Sequence, residues 1–316
     1  MDKKVLVLAG GGAKGIVLVP FMANVERSTR NPIWQNYDLI VGSSVGAMMG
    51  AMMATGLVPA DKIIKTYNVT CHKIFKRRWN LFKPFPLYGR DGFEDVWVND
   101  FGIPADFKFG DVKTKLMITS INTVKNEYNC QTLKLWKSWD KEDAELPLMK
   151  IVETSFAAPM YFGHICDGNN VYSDGGGGYS NLPLDEAFTH ILANGWDDFN
   201  CHIDAIGCLY GWPTPDEMTG SVVCKQKTLK QLLSFMNPAE GGLARAYSTL
   251  DQIRKVKYFT DEYYNVHGYE STVHLNYYDR GVPKSMDKID ALEYVDDGSY
   301  LASGRLMAIN PLISVN

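Results

Sequence analysis

The chain has 316 residues, 46% of them hydrophobic and 22% charged, the proportions of a globular protein with ample length for a sizeable core. A formal net charge of -4 gives no global reason to expect nucleic acid as a partner. The six cysteines (Cys71, Cys130, Cys166, Cys201, Cys208, Cys224) form no C-x-x-C pair and no zinc-site spacing, which reads as reduced thiols in a cytoplasmic protein without a metal.

The first stretch, MDKKVLVLAGGG, carries two lysines before an apolar run too short for a signal-peptide core. Val5 to Ala9 is expected as a buried strand. Gly10, Gly11, Gly12, Ala13, Lys14 and Gly15 follow, then a helix over 16–25 with Pro20 near its start. Gly10, Gly12 and Gly15 fit G-x-G-x-x-G after a strand, which raises a dinucleotide-binding alternative. That fingerprint also requires an acid at the end of a second strand, whereas the nearby acid here, Asp38, precedes that strand. The nucleotide reading fails there. A glycine loop at a strand's end can instead present consecutive backbone N–H groups to an anion.

Residues 37–56 read YDLIVGSSVGAMMGAMMATG, and an apolar strand through Leu39–Val41 stops at Gly42. Ser43, Ser44, Val45 and Gly46 complete a G-x-S-x-G between strand and helix, the context that motif needs. Gly42 and Gly46 remove Cβ atoms from a sharp turn, which would expose the Ser44 hydroxyl beside a helix amino end. Ser44 therefore reads as a nucleophile. Leu39 to Ala60 carries no charge, and Gly42, Gly46 and Gly50 are spaced as in a transmembrane packing face. Ser43, Ser44, Thr55, Gly56 and Pro59 argue against a membrane span. In a parallel sheet, loops after the first two strands open on one edge, so 10–15 and Ser44 are expected to face each other across a crevice.

A helix is expected from Ala60 to Ile74. Cations and aromatics then interleave through residues 72–90, with no carboxylate before Asp91. Lys76, Arg77, Arg78, Trp79 and Phe82 are the candidate contacts with an anionic membrane surface, a solvated loop being the plainer alternative. A helix over 92–101, a strand over 115–122 and a strand over 128–136 paired with it come next. A short helix over 148–154 precedes SFAAPMYF at 155–162. Asp174 stands directly before Gly175, Gly176, Gly177 and Gly178, where the backbone can bring a carboxylate close to another loop; an ordinary hairpin turn is the alternative. A helix over 184–192 and a strand over 203–209 follow. Leu229, Leu232, Leu233, Met236 and Leu243, Ala246, Leu250, Ile253 form two apolar helical rows. A strand over 273–277 and helices over 287–294 and 298–307 close the chain. No repeat or linker interrupts it, so 1–316 reads as a single α/β domain, with a motif-bearing core of about 1–210 and an elaboration over about 211–316.

GGGAKG at 10–15, GSSVGA at 42–47 and DGG at 174–176 together closely resemble the patatin-like phospholipase family. SFAAPMYF resembles the family's Ala-Ala-Pro segment, and Asn181 to Pro183 its downstream Asn-x-Pro. The resemblance implies a three-layer α/β/α sandwich with a mostly parallel sheet and a serine acyl hydrolase working by a Ser–Asp dyad. Ser44 would be the nucleophile and Asp174 the base. Gly11 and Gly12 would supply oxyanion donors, supported by Gly10 and Gly15, and by the elbow logic the Val45 N–H adds another. Lys14 occupies a position where the family carries Arg or Lys. Two positions depart from the pattern: Ala9 replaces the usual Asp, and the Asp-Gly-Gly run continues for two more glycines.

An aspartate in water is a poor base for a serine hydroxyl, so a dyad requires burial and direct contact. The rival is a Ser-His-Asp triad through His164. The reading is a phospholipase A or lysophospholipase type enzyme acting on glycerolipid esters, with no cofactor, transient contact with anionic membranes and no nucleic acid partner. The alternative from another class is a catalytically silent relative that binds lipid or protein through the same crevice.

Overall fold

The computed structural model describes residues 2–78, 86–177, 180–198 and 200–208, with Gln252, Val256 and 273–278. In chain order its elements are β1 (Lys3–Leu8), a 3₁₀ turn (Gly12–Val17), α1 (Leu18–Thr29), α2 (Ile33–Asn36), β2 (Leu39–Ser43), α3 (Val45–Thr55) and α4 (Ala60–Ile74). Then come α5 (Asp91–Asp95), running on as a π-helical turn (Val96–Asp100), β3 (Lys115–Asn122), β4 (Thr132–Lys137), α6 (Lys141–Ala144) and α7 (Leu148–Ser155). β5 (Ile165–Asp167), β6 (Asn170–Asp174), α8 (Leu184–Ala193), β7 (Cys201–Ile206) and β8 (Val273–Tyr278) complete the list.

The strands form one mixed sheet in the order β5-β6-β3-β2-β1-β7-β8, with β4 also on β3. From β3 through β2, β1 and β7 to β8 the pairs are parallel, and β4, β5 and β6 add antiparallel pairs. Central strands covered on both faces call for continuous apolar sequence, and VLVLA supplies it. Leu6 and Leu8 join one core, with α1, α3, α4 and the aromatics Phe93, Trp97 and Phe109. Val5, Val7 and Ala9 join the other, with Leu184, Ala187, Phe188 and Ile191 of α8, Trp196 and Val256. The result is the expected α/β/α layering.

α3 is buried at every position from Val45 to Thr55, as its small residues and methionines require. A Cβ on Gly46 would sit 2.6 Å from the Ala9 carbonyl oxygen and against that of Leu8, so glycine lets the helix reach β1. Gly50 performs the same service over Ile40.

Several expected elements shift. The helix after the glycine loop begins at Leu18 because Gly12–Val17 wind as a 3₁₀ turn. The helix expected over 92–101 divides into α5 and the π turn. The strand expected from Tyr128 begins at Thr132, since Asn126 Oδ1 accepts the N–H groups of Tyr128 and Cys130 (both 3.0 Å) and holds a turn there. The β5–β6 hairpin, turning at Gly168 (φ 57°), has no counterpart in the sequence expectations. Asp174 ends β6 and is not itself the hairpin turn. The two apolar rows at 229–236 and 243–253 and the closing helices at 287–294 and 298–307 lie outside the described residues, apart from helical Gln252.

Two substitutions test this architecture. Gly46→Ala should destabilise the protein by roughly 1–3 kcal/mol, read by denaturant unfolding, because the backbone of β1 must move to admit a methyl group. Glu153 on α7 is buried, its Oε1 meets no partner among the described residues, and burial pushes its carboxyl up to about 7 from 4.5. Between those values the folded state holds a proton that the unfolded state has lost, so stability falls as pH rises through that window. Glu153→Gln should therefore stabilise by roughly 1–3 kcal/mol at pH 8 and by almost nothing at pH 4.

Candidate active site

Strand β3 brings the site together. Its residues 115–119 pair with β2, its residues 120–122 pair with β6, and β4 lies along 117–122. With β4 on one edge, β2 and β6 share the other. Ser43 stands opposite Thr119 and Asp174 opposite Ser120, so the carboxyl ends of β2 and β6 meet head to head. The next residue after β2, Ser44, donates its hydroxyl to Asp174 Oδ2 at 2.7 Å across 130 positions of sequence.

Ser44 has φ 52° and ψ −122°, a left-handed conformation costing of order 1–3 kcal/mol in a non-glycine residue. Its surroundings impose it. The Ser44 N–H donates to Ser155 Oγ at 2.9 Å, and the Ser155 hydroxyl donates to the Thr119 carbonyl at 2.7 Å. The same stretch fixes Asp174: its N–H donates to the Ala157 carbonyl at 3.1 Å, and the Gly175 N–H to the Ser155 carbonyl at 3.2 Å. Asp174 Oδ1 accepts the Gly176 N–H at 2.7 Å, leaving Oδ2 for Ser44. The end of α7 thus clamps both members of the pair. Nothing in the sequence marks Ser155 beyond its place at the head of SFAAPMYF; its role follows from the topology.

The glycine loop faces Ser44 across the crevice as expected. The Gly10 N–H donates to the Asn181 carbonyl at 2.9 Å, and a Cβ on Gly10 would lie 2.9 Å from Ser44 Cβ. Gly15 lies against the Val45 side chain and Gly42 against the first turn of α3. Gly11, Gly12 and Val45 line the same cavity as Ser44. Lys14 is buried, at 3% exposure, within this loop.

Gly11, Gly12, Ser44, Val45, Asp174, Gly176 and Asn181 occupy the polar end of a narrow cavity holding about 990 Å³ of empty space, its open mouth included. Met48 and Met49 from α3, Ile63, Tyr67 and Cys71 from α4, and Phe93, Phe156 and Phe162 make the remaining wall largely apolar. Burial pushes the Cys71 thiol up to about 11, so it stays protonated at neutral pH. His164 is exposed and away from this cavity, and among the described residues no histidine lines it. Among the described residues no group of three His, Cys, Asp or Glu side chains could hold a metal ion, and no helix is long and apolar enough to cross a membrane.

The basic segment is partly engaged. Lys73 pairs with Asp95 (2.9 Å) and Asp100 (2.8 Å), and Arg78 with Asp91 (2.9 Å). Arg90 donates to the carbonyls of Phe162, at 3.4 Å, and His164, at 2.5 Å. Lys76, Arg77 and Arg78 are exposed; Trp79 and Phe82 lie outside the described residues.

The sharp turn at Ser44, the Asp-Gly-Gly turn and the facing glycine loop all fall within the stretch of sequence that one family matches. The sequence model for patatin-like phospholipases matches residues 6–188, and the chain belongs to that family. It is 27% identical over 217 residues to a cGAMP-activated phospholipase of Escherichia coli (strain TW11681), covering 62% of this chain and 58% of that protein. A cGAMP-activated phospholipase of Pseudomonas aeruginosa is 27% identical over 181 residues, 54% of this chain and 52% of its own length. The chain thus spans little more than half of either relative. Human calcium-independent phospholipase A2-gamma is 20% identical over 191 residues, 55% of this chain and 24% of that protein. Among solved structures, VipD from Legionella pneumophila aligns over 96% of this chain and 66% of its own, at 13% identity and a TM-score of 0.45.

Replacing Ser155 by Ala leaves the buried Ser44 N–H without an acceptor. The expected cost is about 1–3 kcal/mol of unfolding free energy, together with slower labelling of Ser44 by a fluorophosphonate. Labelling at the wild-type rate would show that the clamp does not set the pose of Ser44.

Proposed function

We propose that the protein is a lipid acyl hydrolase of phospholipase A or lysophospholipase type, cleaving carboxylic esters of glycerolipids through a Ser44–Asp174 dyad. The observation that carries this reading is the 2.7 Å hydrogen bond from Ser44 Oγ to Asp174 Oδ2 at the polar end of an apolar cavity. Membership of the family and the phospholipase relatives support it.

In this mechanism Ser44 Oγ attacks the ester carbonyl carbon as its proton passes to Asp174 Oδ2. The carbonyl oxygen becomes an oxyanion facing the N–H groups of Gly11, Gly12 and Val45. Preorganised donors of this kind are worth a few kcal/mol of barrier each in a buried site. The tetrahedral intermediate expels the alcohol, which takes the proton from Asp174, and the acyl group remains on Ser44. Water then releases the fatty acid by the reverse sequence of proton transfers. Direct contact and burial (Ser44 8% and Asp174 7% exposed) stand in for the histidine relay. The apolar wall receives the acyl chain, each buried methylene contributing about 0.8 kcal/mol.

Lys76, Arg77, Arg78 and the adjoining Trp79 and Phe82 are proposed to meet anionic bilayers as a peripheral contact, each cation near the surface contributing about 1 kcal/mol. Reversing Lys76 and Arg77 to Glu should weaken binding to phosphatidylserine vesicles, most strongly at low salt. Equal binding by the variant would remove that assignment.

The decisive measurement is fatty-acid release from mixed phospholipid vesicles, products resolved by mass, for wild type, Ser44→Ala and Asp174→Asn. Release should vanish in Ser44→Ala and fall at least roughly a thousandfold in Asp174→Asn. Because the steps above involve no metal, release should survive chelators. A folded wild-type protein whose Ser44 ignores a fluorophosphonate would instead be the silent binding module.

A further inference from the structure

The two ends of the cavity differ in exposure. Among its lining residues Gly12, Phe75, Ala158 and Pro159 are partly exposed and Gly177 is exposed. They belong to the glycine loop, the end of α4 and the loops around Asp174, so the mouth opens at the Ser44 end. Met49, Ile63, Phe93 and Phe101 line the cavity as well, and each is at most 3% exposed.

Three connections place Ile63 and Phe101 far from Ser44. α3 leaves Ser44 and ends at Thr55, and residues 56–59 lead directly into α4, so α4 starts where α3 ends. α1 leads away from the glycine loop, and near its far end Glu26 accepts the Ala60 N–H at 3.0 Å while Arg27 meets Asp61 at 3.9 Å. The start of α4 thus stands eight residues of α1, about 12 Å, beyond Leu18. The Lys62 ammonium donates to the Phe101 carbonyl at 3.3 Å and lies 5.7 Å from the centre of that ring, which sets Phe101 at the level of Ile63.

α4 forms the long wall between the two ends. Ile63, Tyr67, Cys71 and Ile74 stand on one face of it, a stripe about 12 Å long as far as Cys71 and about 16 Å as far as Ile74. An extended hydrocarbon advances about 1.3 Å per carbon, so the stripe matches roughly 9 to 12 carbons.

We propose that Ile63 and Phe101 are the floor of an acyl channel and set the length of chain it takes, which makes the preferred substrates esters of fatty acids of roughly 9 to 12 carbons; the inference rests on the Ser–Asp hydrolase reading above. The chain enters beside Ser44, follows the face of α4 and ends against these two side chains. Each methylene down to that depth leaves water. A carbon beyond it finds no space and has to fold back toward the mouth. Ile63 and Phe101 therefore act by shape on the tail of the chain and do not touch the ester.

The test is kcat/KM for 4-nitrophenyl esters of four to eighteen carbons, presented in one neutral detergent micelle, with wild type, Ile63→Phe, Ile63→Ala and Phe101→Leu. Each profile is read relative to the same protein's rate on the four-carbon ester, whose tail ends short of the floor, so that loss of folded protein cancels. Wild type should gain up to about fourfold per added methylene, the factor that burying one supplies, and should stop gaining at roughly 9 to 12 carbons. Ile63→Phe should move that break roughly two to four carbons shorter, and Ile63→Ala and Phe101→Leu roughly one to three carbons longer. The proposal is overturned if wild-type rates still climb at sixteen carbons, or if no variant moves the break in its stated direction. Nitrophenolate release in either case leaves the hydrolase reading standing. A folded wild-type protein that neither hydrolyses the series nor labels with a fluorophosphonate would overturn that reading, and this inference with it.

Discussion

The site depends on the way one edge of β3 is shared. β2 occupies that edge as far as Thr119, β6 takes it from Ser120 onward, and the two strands run toward each other. Their ends must therefore meet. A residue just beyond the first and the last residue of the second are brought within hydrogen-bonding distance by ladder geometry. The antiparallel pair β5–β6, attached to an otherwise parallel centre, is thus the feature that brings Ser44 and Asp174 together on a common α/β sheet.

Such a meeting leaves little freedom to its participants. Ser44 takes a backbone conformation that costs energy, and it is held by α3, which is buried throughout, and by the Ser155 hydroxyl. Glycines appear where two backbones approach. Gly46 lies under the β1 carbonyls, Gly10 against Ser44, and Gly175 against Thr119, whose carbonyl oxygen would stand 2.5 Å from a Cβ there. The end of α7 contributes twice, once through a side-chain hydroxyl and once through main-chain carbonyls. Ser44 and Asp174 are therefore set by the same few residues and keep a common register.

The cavity joins two chemistries that seldom share a surface. Its polar end is made of loop backbone and the Ser44–Asp174 pair, whereas α3, α4 and several aromatics provide an apolar wall. That combination suits a substrate whose reactive ester is attached to a hydrocarbon chain. In the proposed reaction the chain's burial supplies binding while the loops meet the developing charge.

The sequence by itself determined the local pieces. Alternating and continuous apolar runs gave β1, β2, β3 and α4 within a residue or two, because burial dictates composition. G-x-S-x-G between strand and helix marked Ser44, because tight turns restrict which residues can occupy them, whereas the glycines after Asp174 left an ordinary hairpin turn open and the family resemblance singled that residue out. Tertiary structure alone decided which residues meet. The 2.7 Å contact joins positions 130 residues apart, and Ser155 reaches Ser44 from 111 residues away, distances over which no local pattern can carry information. Pairing Lys73 with Asp95 and Asp100 likewise took a fold that returns α5 and its π turn to α4, so a run of cations in sequence became a partly neutralised surface. Local sequence fixes what a residue can do, whereas the partner it does it with is set by the strand order that closes the sheet.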